Sequence, residues 1–155
     1  MKITKNTVLR AFDRLVIPAI QATMKSTGRD ATGKASKSLR LGVDITPMGF
    51  VLQIIGADYF EYIEKGRRPG TPPPFNAILE WVIVKMRLTG KMAERAAWGV
   101  RTKIGQEGSP TRNSPAQLNV IKDAIDPILP DIKRKMEQIA GKEIITRLRE
   151  TTNRR

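Results

Sequence analysis

The sequence predicts an α+β fold: a small antiparallel β-sheet built on a central hairpin, with strands at 39–46 and 50–56. An N-terminal helix, two middle helices and a broken C-terminal helix flank it. Three observations predict this. Apolar residues recur every three or four positions near the N-terminus, alternate with polar ones from Leu39, and return to helical spacing from Phe75 onward. A length of 155 residues with 40% hydrophobic content suits one domain, read as residues 1–150 with a disordered basic tail at 151–155.

In the first helix, Thr4 to about Met24, the apolar stripe is Val8, Phe12, Leu15, Val16, Ala19 and Ile20. Pro18 cannot donate to the carbonyl of Arg14, which predicts a kink or a break. Residues 26–37 are polar, contain Gly28 and Gly33, and read as a mobile loop. Leu39, Leu41, Val43 and Ile45 then alternate with Arg40, Gly42, Asp44 and Thr46, the pattern of a half-buried strand. Pro47-Met48-Gly49 supplies a turn, and the apolar run Phe50 to Ile55 pairs back antiparallel. Two strands alone are marginal in water, so this hairpin must lean on helices or on a neighbouring subunit. Residues 58–64, with Tyr59, Phe60 and Tyr62, fit either a third strand or a short irregular turn ended by Gly66.

Arg67-Arg68-Pro69-Gly70-Thr71-Pro72-Pro73-Pro74 excludes a helix or an inner strand and favours an extended, polyproline-like arm. Pro74 suits the first position of the next helix. That helix, Phe75 to about Arg87, carries Phe75, Ile78, Leu79, Val82 and Met86 on one face and is ended by Gly90; Trp81 and Ile83 fall off the stripe. Lys91 to Ile104 forms a second helix, aligning Ala93, Ala97, Val100 and Ile104, and Gly105 and Gly108 stop it. After a polar loop at 109–115, an apolar seam runs through Leu118, Ile121, Ile125, Ile128, Ile132, Met136 and Ile139, interrupted by Pro127 and Pro130. One helix therefore reaches about Ala124, and another runs from near Pro130 to Leu148, weakened at Gly141, with 151–155 fraying.

Composition narrows the chemistry. With no Cys and no His, zinc sites of the usual kind and Ser-His or Cys-His nucleophile pairs are excluded. No clustered acidic motif suits magnesium, and Gly28 to Ala35 resembles a phosphate-binding loop but has its second glycine at the wrong distance. The chain is read as non-enzymatic, without cofactor or metal. No apolar stretch approaches the length of a membrane span, so no membrane partner is expected. Net charge is +13, and residues 65–104 hold nine Lys/Arg against two Glu, a concentration suited to phosphates or to an acidic protein surface. A merely solvated basic face is the plain alternative.

Three features stand out as sites. Tyr59, Tyr62 and Glu64, followed by Arg67, Arg68 and Pro69, read either as a strand end with an ordinary turn or as the root of a protruding arm. A proline-stiffened arm loses little entropy on docking. Trp81 and Trp98 are core residues or interface anchors. Lys85, Arg87, Lys91, Arg95, Arg101 and Lys103, on two neighbouring helices, are candidates for contact with DNA or an acidic partner. Aromatics are not interleaved with these charges, so non-specific backbone contact is favoured over base stacking.

The run Thr32-Gly33-Lys34-Ala35-Ser36-Lys37-Ser38-Leu39-Arg40, the hairpin, the block Tyr59 to Gly66 and Pro73-Pro74-Phe75 together resemble the tail-completion (minor tail, head-tail connector) proteins of tailed bacteriophages. Ala96-Ala97-Trp98, Arg101 to Ile104 and Gly105-Gln106-Glu107-Gly108-Ser109-Pro110 resemble the same family's second helix and following turn. The resemblance implies a virion protein of the neck or tail, a six- or twelve-fold homo-oligomeric ring between portal or adaptor and tail, with DNA passing through. It places subunit or ring-to-ring contacts at the hairpin, Pro47, Met48, Gly49 and Phe50, and at the loop from Arg67 to Pro74, including Pro72 and Pro73. The triple-proline arm and the proline-broken C-terminal seam depart from the family pattern. The second reading, from a different class, is a free nucleic-acid-binding protein.

Overall fold

A computed structural model of the chain describes residues 4–46, 49–109 and 119–152. It is an α+β fold in which a two-stranded antiparallel hairpin is flanked by helices, with a broken C-terminal helix. Helix α1 (Lys5–Ser26) is capped by Thr4, whose hydroxyl accepts from the Thr7 N–H. Its buried stripe is Val8, Phe12, Val16, Ile17, Ile20 and Met24. Of the kink or break expected at Pro18, the break does not occur: α1 runs as one helix through it. Pro18 and Arg14 are both exposed, so the carbonyl that loses its intrahelical donor faces water.

The polar segment read as a loop holds a short helix, α2 (Lys34–Ser38). Gln21 Nε2 donates to the Ser36 carbonyl at 3.0 Å, and buried Ala35 joins the core, so this stretch is tied to α1. Strands β1 (Arg40–Thr46) and β2 (Gly49–Ile55) pair from Arg40 opposite Ile55 to Thr46 opposite Gly49. Pro47 and Met48, expected in the turn, lie outside the described residues. The stretch left open to a third strand is instead helix α3 (Phe60–Lys65), so among the described residues the sheet has two strands. Phe60 is buried in the core while Tyr59 and Tyr62 face out, which is helical spacing that a short aromatic run conceals.

Helices α4 (Phe75–Met86) and α5 (Gly90–Glu107) form a hairpin at the expected positions. Gly90 begins α5; α4 closes at Arg87, which takes a left-handed φ of 55°. Beyond the undescribed 110–118, where most of the second polar loop falls, come α6 (Val120–Ile125), a 3-10 turn (Asp126–Ile128) carrying Pro127, and α7 (Leu129–Thr152). Helix α7 continues past the expected end at Leu148, through Thr151 and Thr152 that were read as fraying. Residues 153–155 lie outside the described residues.

Two apolar clusters result. The main core joins α1, β1, α3, α6 and the start of α7 around Phe12, Ile20 and Met24. A smaller one, Val82, Ala93 and Ala97, holds α4 against α5, where alanines allow the helix axes to approach. Lys135 Nζ donates to the Ala11 carbonyl at 2.8 Å, fastening α7 to α1.

Candidate functional site

The proline-rich segment between α3 and α4 lies along the C-terminal half of α5. Arg67 N–H donates to Ser109 Oγ at 2.9 Å, and Ser109 N–H returns a bond to the Arg67 carbonyl at 2.9 Å. Gly70 N–H donates to the Gly105 carbonyl at 2.8 Å, and Arg101 Nε to the Pro73 carbonyl at 3.0 Å. Gly105 lets Pro72 close in: a Cβ there would stand 3.1 Å from the proline ring. The expected protruding arm is therefore a strap. Prolines lack N–H donors, so the strap is held by a few bonds, from Gly70 and Pro73 to α5 and from Arg67 to Ser109 just past its end, rather than by a sheet. Arg68 and Pro69 stay exposed on it, while Pro73 is buried.

At the root of the strap the Arg67 guanidinium carbon lies 3.8 Å from the centre of the Tyr62 ring, a cation–π contact. Glu64, which the sequence reading sets at an interface, makes bonds within the subunit. Both its oxygens accept from the Ile121 N–H at 3.3 Å, tying α3 to the first turn of α6. Burial pushes its carboxyl above the ordinary range, against the pull of the Ile121 and Val120 amides and of the Arg29 charge. Arg29 also donates to the Ile63 carbonyl, so loop and α3 are joined at the same place.

Trp81 is on the surface, as one reading of the sequence had it. With Ile78, Val100 and Ile104 it lines an open apolar groove of about 520 Å³ between α4 and α5, with Lys103 at its edge. On the other side of the hairpin the half-exposed Trp98 packs on Phe75 at 4.8 Å between centroids. Arg101 stands over its ring at 5.1 Å. Ile83, Val84, Met86 and Met92 of the same two helices are exposed as well.

The six basic residues do not share one face. Arg101 is turned onto the strap and Trp98, Lys103 borders the groove, and Lys85 Nζ lies 3.5 Å from where a Cβ would sit at Gly28. Lys91 and Arg95, one turn apart on α5, do share a face, and Trp98 follows at the next turn. That spacing brings an aromatic beside the charges, which the linear sequence reading missed although the i, i+4, i+7 pattern was there to find. Arg87 sits at the α4 terminus. Among the described residues no group of three or more Asp or Glu is placed to hold a metal, and no helix is long and apolar enough to cross a membrane.

At the hairpin, Phe50 reaches Phe12 with ring centroids 5.9 Å apart. Gly49 is exposed at the start of β2. No protein-family model, no curated protein and no solved structure matches the chain.

Proposed function

We propose that this chain is a structural subunit of a virus particle, which assembles with copies of itself into a ring of six or twelve in a bacteriophage neck or tail. There it joins portal or adaptor to tail and lets DNA pass. Its activity is geometry, not catalysis. The observation that carries this reading is the unfinished sheet: neither strand has a further strand partner among the described residues, and Ile45, Val51 and Ile55 are 44%, 51% and 51% exposed. Exposed sheet edges and large apolar residues are features that a free monomer ordinarily covers or charges. The resemblance of Thr32 to Phe75 to tail-completion proteins supports the same reading. Size-exclusion chromatography with light scattering, followed by electron microscopy of the largest species, tests it. Closed rings are expected, and a species that stays monomeric at every concentration overturns it.

A second reading has one specific observation in its favour, the shared face of Lys91, Arg95 and Trp98. It makes the chain a non-specific nucleic-acid-binding protein. A stable monomer with a DNA dissociation constant of ~10⁻⁸ M or tighter at physiological salt favours it over the ring.

A further inference from the structure

The two strands of the hairpin are not equivalent. Helix α1 packs closely beneath β1, whose inward Leu41 and Val43 are 9% and 6% exposed. Strand β2 is less fully covered: its inward Phe50, Leu52 and Ile54 touch the core, Phe50 through Phe12, but are only half-buried. Its outward Val51 and Ile55 are each 51% exposed. Solitary edge strands are normally protected by a lysine, a proline, a bulge or a cover. Strand β2 itself holds no lysine or proline, its register with β1 runs without a bulge from Gly49 to Ile55, and no further strand lies beside it among the described residues; residues 45–57 are the longest stretch of the chain without a charged side chain.

We propose that the free edge of β2 is a strand-addition site, and that its occupant is β1 of a second copy of this chain, added antiparallel in a head-to-tail arrangement. The choice of β1 follows from what each strand brings with it. A second β2 laid against the first would set two half-covered apolar faces side by side and bring no further helix to cover them. A neighbouring β1 carries its own α1 on the inward side, and that helix covers the half-buried Phe50, Leu52 and Ile54. Charge agrees. The chain as a whole is +13, so copies repel, but this seam joins an uncharged strand to one whose Arg40 and Asp44 cancel. A head-to-tail contact leaves one edge of each copy open for the next, and closes into a ring when the rotation permits. The inference thus rests on the self-assembly reading and names the seam.

Because the chain has no cysteine, single thiols can be placed without background. Val51 and Asp44 are both exposed and lie on the outward face of the sheet. V51C and D44C are prepared separately, mixed at a concentration where light scattering shows multimers, and treated with a short bis-maleimide. The expected result is a covalent dimer from the mixture and little from either variant alone. Dimer from V51C alone means β2 meets β2 and overturns the proposal, as do multimers with no cross-link from the mixture; in both cases self-assembly itself survives. A chain that remains monomeric throughout overturns both. Independently, V51K should weaken self-association roughly tenfold or more by placing a charge on the edge. Its circular dichroism should stay unchanged, and unchanged association counts against the seam.

Discussion

Gly108 is packed directly against the Arg67 carbonyl: a Cβ at Gly108 would stand 2.8 Å from that oxygen, and its φ of 82° is one that other residues avoid. This glycine lets the end of α5 receive the strap. Gly108→Ala is therefore expected to cost about 2 kcal/mol or more in chemical denaturation. Gly99→Ala, in mid-helix with open space around its Cβ, should instead stabilise by up to about 1 kcal/mol. Equal effects at the two positions would refute the strap's dependence on Gly108.

Arg101 satisfies the carbonyl of the buried Pro73. Arg101→Ala should cost about 1 to 3 kcal/mol by leaving that oxygen without its donor. The local readout is hydrogen exchange at Gly70 and Ser109, whose amides donate to Gly105 and Arg67. Both should exchange faster, and protection left at wild-type levels would show that the strap holds without Arg101. Deleting residues 69–73, which would be harmless for a protruding arm, should for the same reason loosen α5.

Glu64 makes stability depend on pH. Its carboxyl is raised above the ordinary 4.5, so the folded protein holds this proton more tightly than the unfolded chain. The associated stability is fully present below the unfolded value and is lost as pH rises through the folded one. Glu64→Gln keeps an acceptor for the Ile121 N–H and removes the partly buried charge. It should flatten the pH dependence just above 4.5 and leave stability at pH 7 equal or higher, whereas Glu64→Ala should cost about 1 kcal/mol. Denaturation midpoints of the three proteins from pH 4 to 7 check this, and parallel profiles would contradict it.

The two apolar clusters should respond separately. Phe12 is fully buried, and Phe12→Ala is expected to cost about 3 to 5 kcal/mol, a large part of the stability of a domain this size. Val82→Ala should cost less, and its effect should concentrate in α4 and α5. Hydrogen exchange resolved by segment distinguishes the two; uniform loss of protection in Val82→Ala would mean a single cooperative unit.

If nucleic acid follows the α5 face, Lys91 and Arg95 are its phosphate contacts. Replacing both by Ala should reduce the slope of log affinity against log salt by about 2 for duplex DNA. Lys103→Ala, on the groove side, should change it little.

Much of this architecture was legible in the chain because local periodicity is a local property. The spacing of Val8, Phe12, Val16 and Ile20 and the alternation from Leu39 to Ile45 specify helix and strand wherever the core happens to be. The misreadings share one cause. Pro18 predicts a kink or a break, yet on the solvent side of α1 its lost bond costs little and the helix is not broken. Residues 58–64 fit a strand or an irregular turn by local pattern, and helix α3 forms there instead because Phe60 is buried against the core with Tyr59 and Tyr62 outside.

From the sequence alone followed the types and order of most elements, the α+β class and the absence of histidine and cysteine chemistry. The tertiary structure alone decided that the proline segment is bound to α5, that Glu64 is consumed in holding α6, and that β2 is less fully covered than β1. Those outcomes rest on pairs such as Arg67 with Ser109, 42 residues apart, and Glu64 with Ile121, 57 apart. Residues so distant leave no mark in each other's local pattern. They meet only when the whole chain has chosen which apolar faces to bury.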